Sequence, residues 1–201
     1  GSGKSFTVAT LLEKISELKS CNAILFDIHG EYSPIIGSGT QHYKIAGPSD
    51  VPSEQIMFLP YWLLSYEEML ALMLDRSDSN APNQAMIFSQ AVLKEKISML
   101  EEAGRNQLAS EITLDSPVPY RITQVLDLLE FKNKEMVPGS GNREKQGDFH
   151  GKLPRFIQRL SAKMMDKRLN FMFSDAEELL DFSYMETLCK QLMAPASQGG
   201  G

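Results

Sequence analysis

The chain has no excess of basic charge. Its 20 Lys and Arg stand against 26 Asp and Glu, for a net charge of −6 and a pI of about 5.2. That excludes a generally basic nucleic-acid coat, but not a local basic strip of the kind a ring-shaped assembly repeats around a channel. Cysteine is scarce. Cys21 and Cys189 lack metal-ligand spacing and read as free thiols of a reducing compartment. Long apolar runs are missing too. The longest, Ile56 to Leu64, is broken by Pro60 and falls far short of the roughly 20 residues that span a bilayer. There is no signal-peptide pattern, so a cytoplasmic protein with no membrane partner is expected. Initiator Met and internal repeats are absent as well.

What is present suits a globular domain with a real core: 42% hydrophobic and 23% charged residues. Val8, Leu11, Leu12, Ile15 and Leu18 recur at helical spacing within Ser5 to Ser20. The run Ala23-Ile24-Leu25-Phe26 then ends in Asp27, and its length and bounds predict a buried strand of a parallel sheet. His29 to Thr40 reads as loop, with short strands expected at Tyr43 to Ala46 and Gln55 to Leu59.

Beyond residue 64 the texture becomes helical. Ser65, followed by Glu67 and Glu68, predicts an N-capped helix to Leu74. Asp75 to Pro82 is a polar breaker. A long helix is expected from Asn83 to Ala103, stopped by Gly104. Ile112 to Pro119 reads as extended, Arg121 to Lys134 as helix, and Val137 to Gly147 as polar loop. Leu153 to Arg168 is amphipathic, with Leu153, Phe156, Ile157, Leu160 and Met164 on one stripe. Weaker helical patterns follow at Glu177 to Leu180 and Tyr184 to Met193, and Ala194 to Gly201 has linker composition. This order predicts an α/β core carrying a helical insertion.

The chemistry is concentrated at the start. Gly1-Ser2-Gly3-Lys4-Ser5 ends as G-K-S at the head of an amphipathic helix, as in the phosphate loop G-x-x-x-x-G-K-[ST]. The motif's first glycine would stand three residues before Gly1, so the chain is expected to be a fragment. Glycines let backbone N–H groups approach phosphate oxygens, and the helix N-terminus supplies partial positive charge. In such a loop Lys4 reaches the β- and γ-phosphates of ATP, and the Ser5 hydroxyl binds Mg²⁺. An accidental Gly-Ser junction is the competing reading; it leaves the following helix and strand unexplained.

The run Ala-Ile-Leu-Phe-Asp-Ile-His-Gly-Glu-Tyr, residues 23 to 32, decides between families. A strand ending Asp-x-His-Gly-Glu-Tyr soon after the phosphate-loop helix resembles the second core strand of the HerA-like ATPases, in the broader group that includes FtsK-type motors. Leu59-Pro60-Tyr61-Trp62-Leu63-Leu64-Ser65-Tyr66-Glu67-Glu68, Ile112-Thr113-Leu114-Asp115-Ser116-Pro117-Val118-Pro119, Arg159-Leu160 and Asp166 to Phe173 are similar to further segments of that family. The resemblance runs from residue 1 to about 185. Only its first two motifs concern nucleotide chemistry.

The resemblance implies an α/β fold of P-loop NTPase type (RecA-like, ASCE): a partial parallel sheet with a large, mainly helical insertion. Residues 1–64 would be the N-terminal part of the ATPase core, 65–185 the helical insertion, and 186–201 the start of the return to the core and a flexible tail. It implies an ATP- and Mg²⁺-dependent translocase or helicase on double-stranded DNA, acting as a homo-hexamer, with a nuclease partner in DNA-end processing or phage defence. Gly1, Ser2, Gly3, Lys4 and Ser5 would bind nucleotide, Ser5 also the metal. Asp27 and Glu31 would be the catalytic carboxylates at the ligand edge of the sheet.

Blander readings stand beside these. Asp27 is also a plausible strand-end cap, and Glu31 and Tyr32 equally suit structural roles in a turn. His29 has no second His nearby and suits loop packing better than metal binding. Tyr61 and Trp62 offer a base-stacking reading, but an apolar run without basic neighbours favours core. Arg155, Arg159 and Lys163 share one helix face, read as a solvated face, with a subunit interface, an arginine finger or DNA contact as alternatives; Arg168 is a further finger candidate. Rival functions are a P-loop small-molecule kinase or transferase, disfavoured by the lack of an Arg-rich lid, and a fragment that is inactive alone. No second apolar strand ending in Asp or Glu is evident after residue 31, so the Walker B strand is expected outside this sequence.

Overall fold

The computed structural model describes residues 3–18, 21, 23–35, 40–53, 55–141 and 143–193. Gly1, Ser2 and the tail Ala194 to Gly201 lie outside them. The chain divides into two compact units, Gly1–Lys44 with Phe182–Gly201, and Ile45–Asp181.

The first unit opens with helix α1, Lys4–Ser16. None of its residues is fully buried; Phe6 and Leu11 are largely exposed. The expected strand at 23–26 is a correction. Residues 23–27 have no regular structure, and Phe26 and Ile28 are 85% and 87% exposed. A strand is stable only when a neighbour takes up its backbone N–H and C=O groups, and no strand among the described residues runs beside this one. The unit closes with α8, Ser183–Met193.

The second unit is mainly helical. Strands β1, Lys44–Ile45, and β2, Ile56–Met57, form a two-stranded sheet where the short strands were expected. A 3-10 turn at Tyr61–Leu63 leads into α2, Tyr66–Met73, whose capping box has Ser65 accepting from Glu68 N–H while the Glu68 carboxylate accepts from Ser65 N–H. Then come α3, Ala81–Glu102, α4, Asn106–Ala109, and α5, Ile122–Lys134. Helix α3 starts before the expected Asn83 because Pro82 sits in its first turn, where its missing N–H costs nothing. Gly104, at φ 72°, ends it.

The expected loop after α5 contains a hairpin: β3, Met136–Pro138, pairs antiparallel with β4, Glu144–Gln146, Val137 facing Lys145. With β4 exposed on both faces, there was no apolar alternation to announce it. Helix α6, Pro154–Met165, is followed by a 3-10 turn, Lys167–Leu169, and the short α7, Asn170–Phe173. Leu153, Phe156 and Leu160 of the predicted stripe are buried, whereas Ile157 and Met164 are only partly so.

Trp62 is 1% exposed and its Nε1 donates to Leu179 O at 2.8 Å. The Tyr61 hydroxyl donates to Tyr120 O and accepts from Ile122 N–H. Both aromatics therefore belong to the core. Phe88 packs edge-on against Phe156, with centroids 5.4 Å apart. No helix among the described residues is long and apolar enough to cross a membrane.

Candidate nucleotide and metal site

At the head of α1, Gly3 is the N-cap residue and offers no side chain to the first turn. No acidic residue occupies that turn. The leading N–H groups of the helix thus meet no side-chain cap, which is the arrangement that accepts an anion. Lys4 and Ser5 are exposed there. Thr7 closes the turn from behind, its N–H and hydroxyl both donating to Gly3 O at 2.9 Å.

Residues 27–32 form a second element of the same unit. Asp27 Oδ1 accepts from Glu31 N–H at 3.1 Å, and its Oδ2 from Tyr32 N–H at 2.9 Å. The Tyr32 N–H is the largest influence lowering the Asp27 pKa below the ordinary carboxylate value; partial burial opposes it, and the N–H groups of Glu31, Gly30 and His29 add to it. Gly30 sits at φ 70°, where an L side chain is strained, so the turn needs glycine there. Ser33 Oγ bonds back to Gly30 O at 3.1 Å.

The turn delivers Glu31 to the helix. Ser5 Oγ donates to Glu31 Oε2 at 2.7 Å across 26 residues of sequence, and the pair is exposed. Of the seven residues expected to carry the chemistry, the structure brings Ser5 and Glu31 into direct contact. It sets Asp27 behind them as the anchor of the Glu31 backbone, places Gly3 and Lys4 at the helix start, and leaves Gly1 and Ser2 outside the described residues. His29 is exposed rather than packed, and no cluster of three or more His, Cys, Asp or Glu metal ligands occurs among the described residues. The donors that meet, a hydroxyl and a carboxylate, are hard oxygens, which fit Mg²⁺.

Arg159 and Arg168 of the helical unit pair with carboxylates of the same unit. Arg159 Nη2 pairs with Asp75 Oδ2 at 2.8 Å, and Arg155 acts electrostatically on Asp75 and Asp78. Arg168 forks onto Asp166, Nε to Oδ1 at 3.0 Å and Nη2 to Oδ2 at 2.7 Å, holding that carboxyl at about 2. Lys96 is a residue the sequence reading passed over. It lies 2% exposed on α3, and Nζ donates to Leu114 O and Ser116 O at 2.7 Å each. Its place one turn from the buried Val92 and Leu100 was the available signal.

The site thus consists of a glycine-led helix start with Lys4 and Ser5, met by the acidic turn 27–32. The family model described as Helicase HerA, central domain, matches residues 1–195, so the chain belongs to that family of P-loop ATPase cores. No curated protein matches it.

Proposed function

We propose that this chain is part of an ATP-dependent motor that moves on double-stranded DNA, assembled as a homo-hexamer and working with a nuclease partner in DNA-end processing or phage defence in the cytoplasm. The observation that carries the reading is the Ser5–Glu31 contact at the head of α1, beside Gly3 and Lys4, in a chain of the HerA family. Gly1 to Ser5 hold the nucleotide phosphates on backbone N–H groups and the Lys4 ammonium. Mg²⁺ would be held at the Ser5 hydroxyl and would supply neutralisation of phosphate charge there. Asp27 and Glu31 are the site carboxylates.

Residues 1–64 belong to the ATPase core, 65–185 to the helical insertion, and 186–201 to the return to the core.

Full-length protein should sediment as a closed ring, and duplex DNA should stimulate its ATPase. Lys4→Ala should lower turnover by about a hundredfold or more, because the loss falls on charge developing at the phosphates. A monomer whose turnover ignores DNA would instead favour a small-molecule kinase or transferase. Unchanged turnover in the Lys4 variant would remove the phosphate-loop assignment.

A further inference from the structure

We infer that Glu31 is a direct partner of Ser5 in holding the divalent cation, and that Asp27 is a positioning residue that does not touch it. The inference rests on the phosphate-loop reading above and assigns the metal side of that site.

A serine hydroxyl has one proton to donate and two lone pairs. In this structure the proton goes to Glu31 Oε2 at 2.7 Å, so both lone pairs of Ser5 Oγ remain for a cation. A hydroxyl that donates to a carboxylate carries more negative charge on its oxygen and is the better ligand for it. The other Glu31 oxygen, Oε1, has no hydrogen bond from a described residue, and the pair is exposed to solvent. Two hard oxygen donors with a single negative charge are too few to hold Mg²⁺ alone. They suit an ion that takes one or two carboxylates from protein and the rest of its shell from phosphate and water. The half-site therefore requires nucleotide for completion.

Asp27 is committed elsewhere. Each of its oxygens accepts a backbone N–H of the turn, from Glu31 and from Tyr32. It acts through Glu31, by fixing the backbone from which that side chain reaches Ser5. The two acidic residues of the motif thus divide the work, one binding and one aiming.

The test uses full-length protein, Mn²⁺ as the metal probe, and ADP, with bound metal read by electron paramagnetic resonance. Glu31→Gln keeps an oxygen to accept from Ser5 but loses the charge. It should weaken Mn²⁺ in the ADP complex by about tenfold or more while ADP affinity in EDTA changes little. Ser5→Ala should do the same, and the double variant should lose no more than the worse single one. Asp27→Asn should weaken Mn²⁺ less than Glu31→Gln and should show no loss once Glu31 is already Gln. Circular dichroism checks that each variant is folded, and Glu31→Gln alone suffices if Asp27→Asn is not. Wild-type Mn²⁺ affinity in Glu31→Gln, with ADP binding still abolished by Lys4→Ala, overturns the Glu31 assignment and leaves the phosphate loop standing. Wild-type protein that binds no ADP overturns both.

Discussion

The indole N–H of Trp62 donates to the main-chain carbonyl of Leu179 at 2.8 Å, tying together two positions 117 residues apart. The bond is buried and both residues are about 1% exposed, so it joins the beginning of the helical unit to its end without competition from water.

Trp62→Phe keeps most of the apolar volume but leaves the Leu179 carbonyl without its donor. It should destabilise the protein by about 1–3 kcal/mol, the cost of an unsatisfied buried acceptor. Because Trp62 is the only tryptophan, its fluorescence follows unfolding of this unit in the wild type; the variant is followed by circular dichroism. Equal midpoints in urea would show that the bond contributes nothing.

Lys96 makes the stability of the same unit depend on pH. Desolvation lowers its pKa from 10.5 to about 8, and Asp115 opposes the shift. Between those two values the unfolded chain binds more protons at this position than the folded chain. Its contribution to stability therefore rises as pH rises from about 8 to 10.5, and is lost as pH falls through 8. Lys96→Met should remove this slope. It should also lower stability near pH 7 by about 1–3 kcal/mol, since Leu114 O and Ser116 O lose their donor. Parallel urea titrations of wild type and variant across that window decide it; identical pH slopes would count against the assignment.

The Arg159–Asp75 pair is half-exposed, with the two side chains 33% and 40% accessible. A double-mutant cycle on Arg159→Ala and Asp75→Ala should give a coupling of about 0.5–1 kcal/mol that shrinks in high salt. If Arg159 serves only this contact, Arg159→Ala should also leave the ATPase of full-length protein within about threefold of wild type, after correction for stability. A loss of several hundredfold with unchanged stability would make Arg159 a functional arginine.

Sequence alone sufficed where signals are local. The Gly3-Lys4-Ser5 helix start, the Ser65–Glu68 cap, the Gly104 stop and most of the α6 stripe each depend on residues within about a turn of one another. Their energies are decided before the chain meets distant neighbours. The apolar run at 23–26 shows the limit of that logic. Its composition suits a strand, but strand formation is a property of a pair, and no partner lies beside it among the described residues.

Tertiary structure alone decided which of Asp27 and Glu31 reaches Ser5. In sequence they are two carboxylates of one motif. Which one reaches Ser5 depends on how the 27–32 turn closes, with Gly30 at positive φ and the Asp27 oxygens taken by Glu31 N–H and Tyr32 N–H. The partner of Arg159 on the basic face of α6 was likewise a matter of packing. Arg155, Arg159 and Lys163 share that face by helical spacing alone, but the acidic turn at Asp75 and Asp78 that receives Arg159 lies about 80 residues earlier and comes near only when the helices pack.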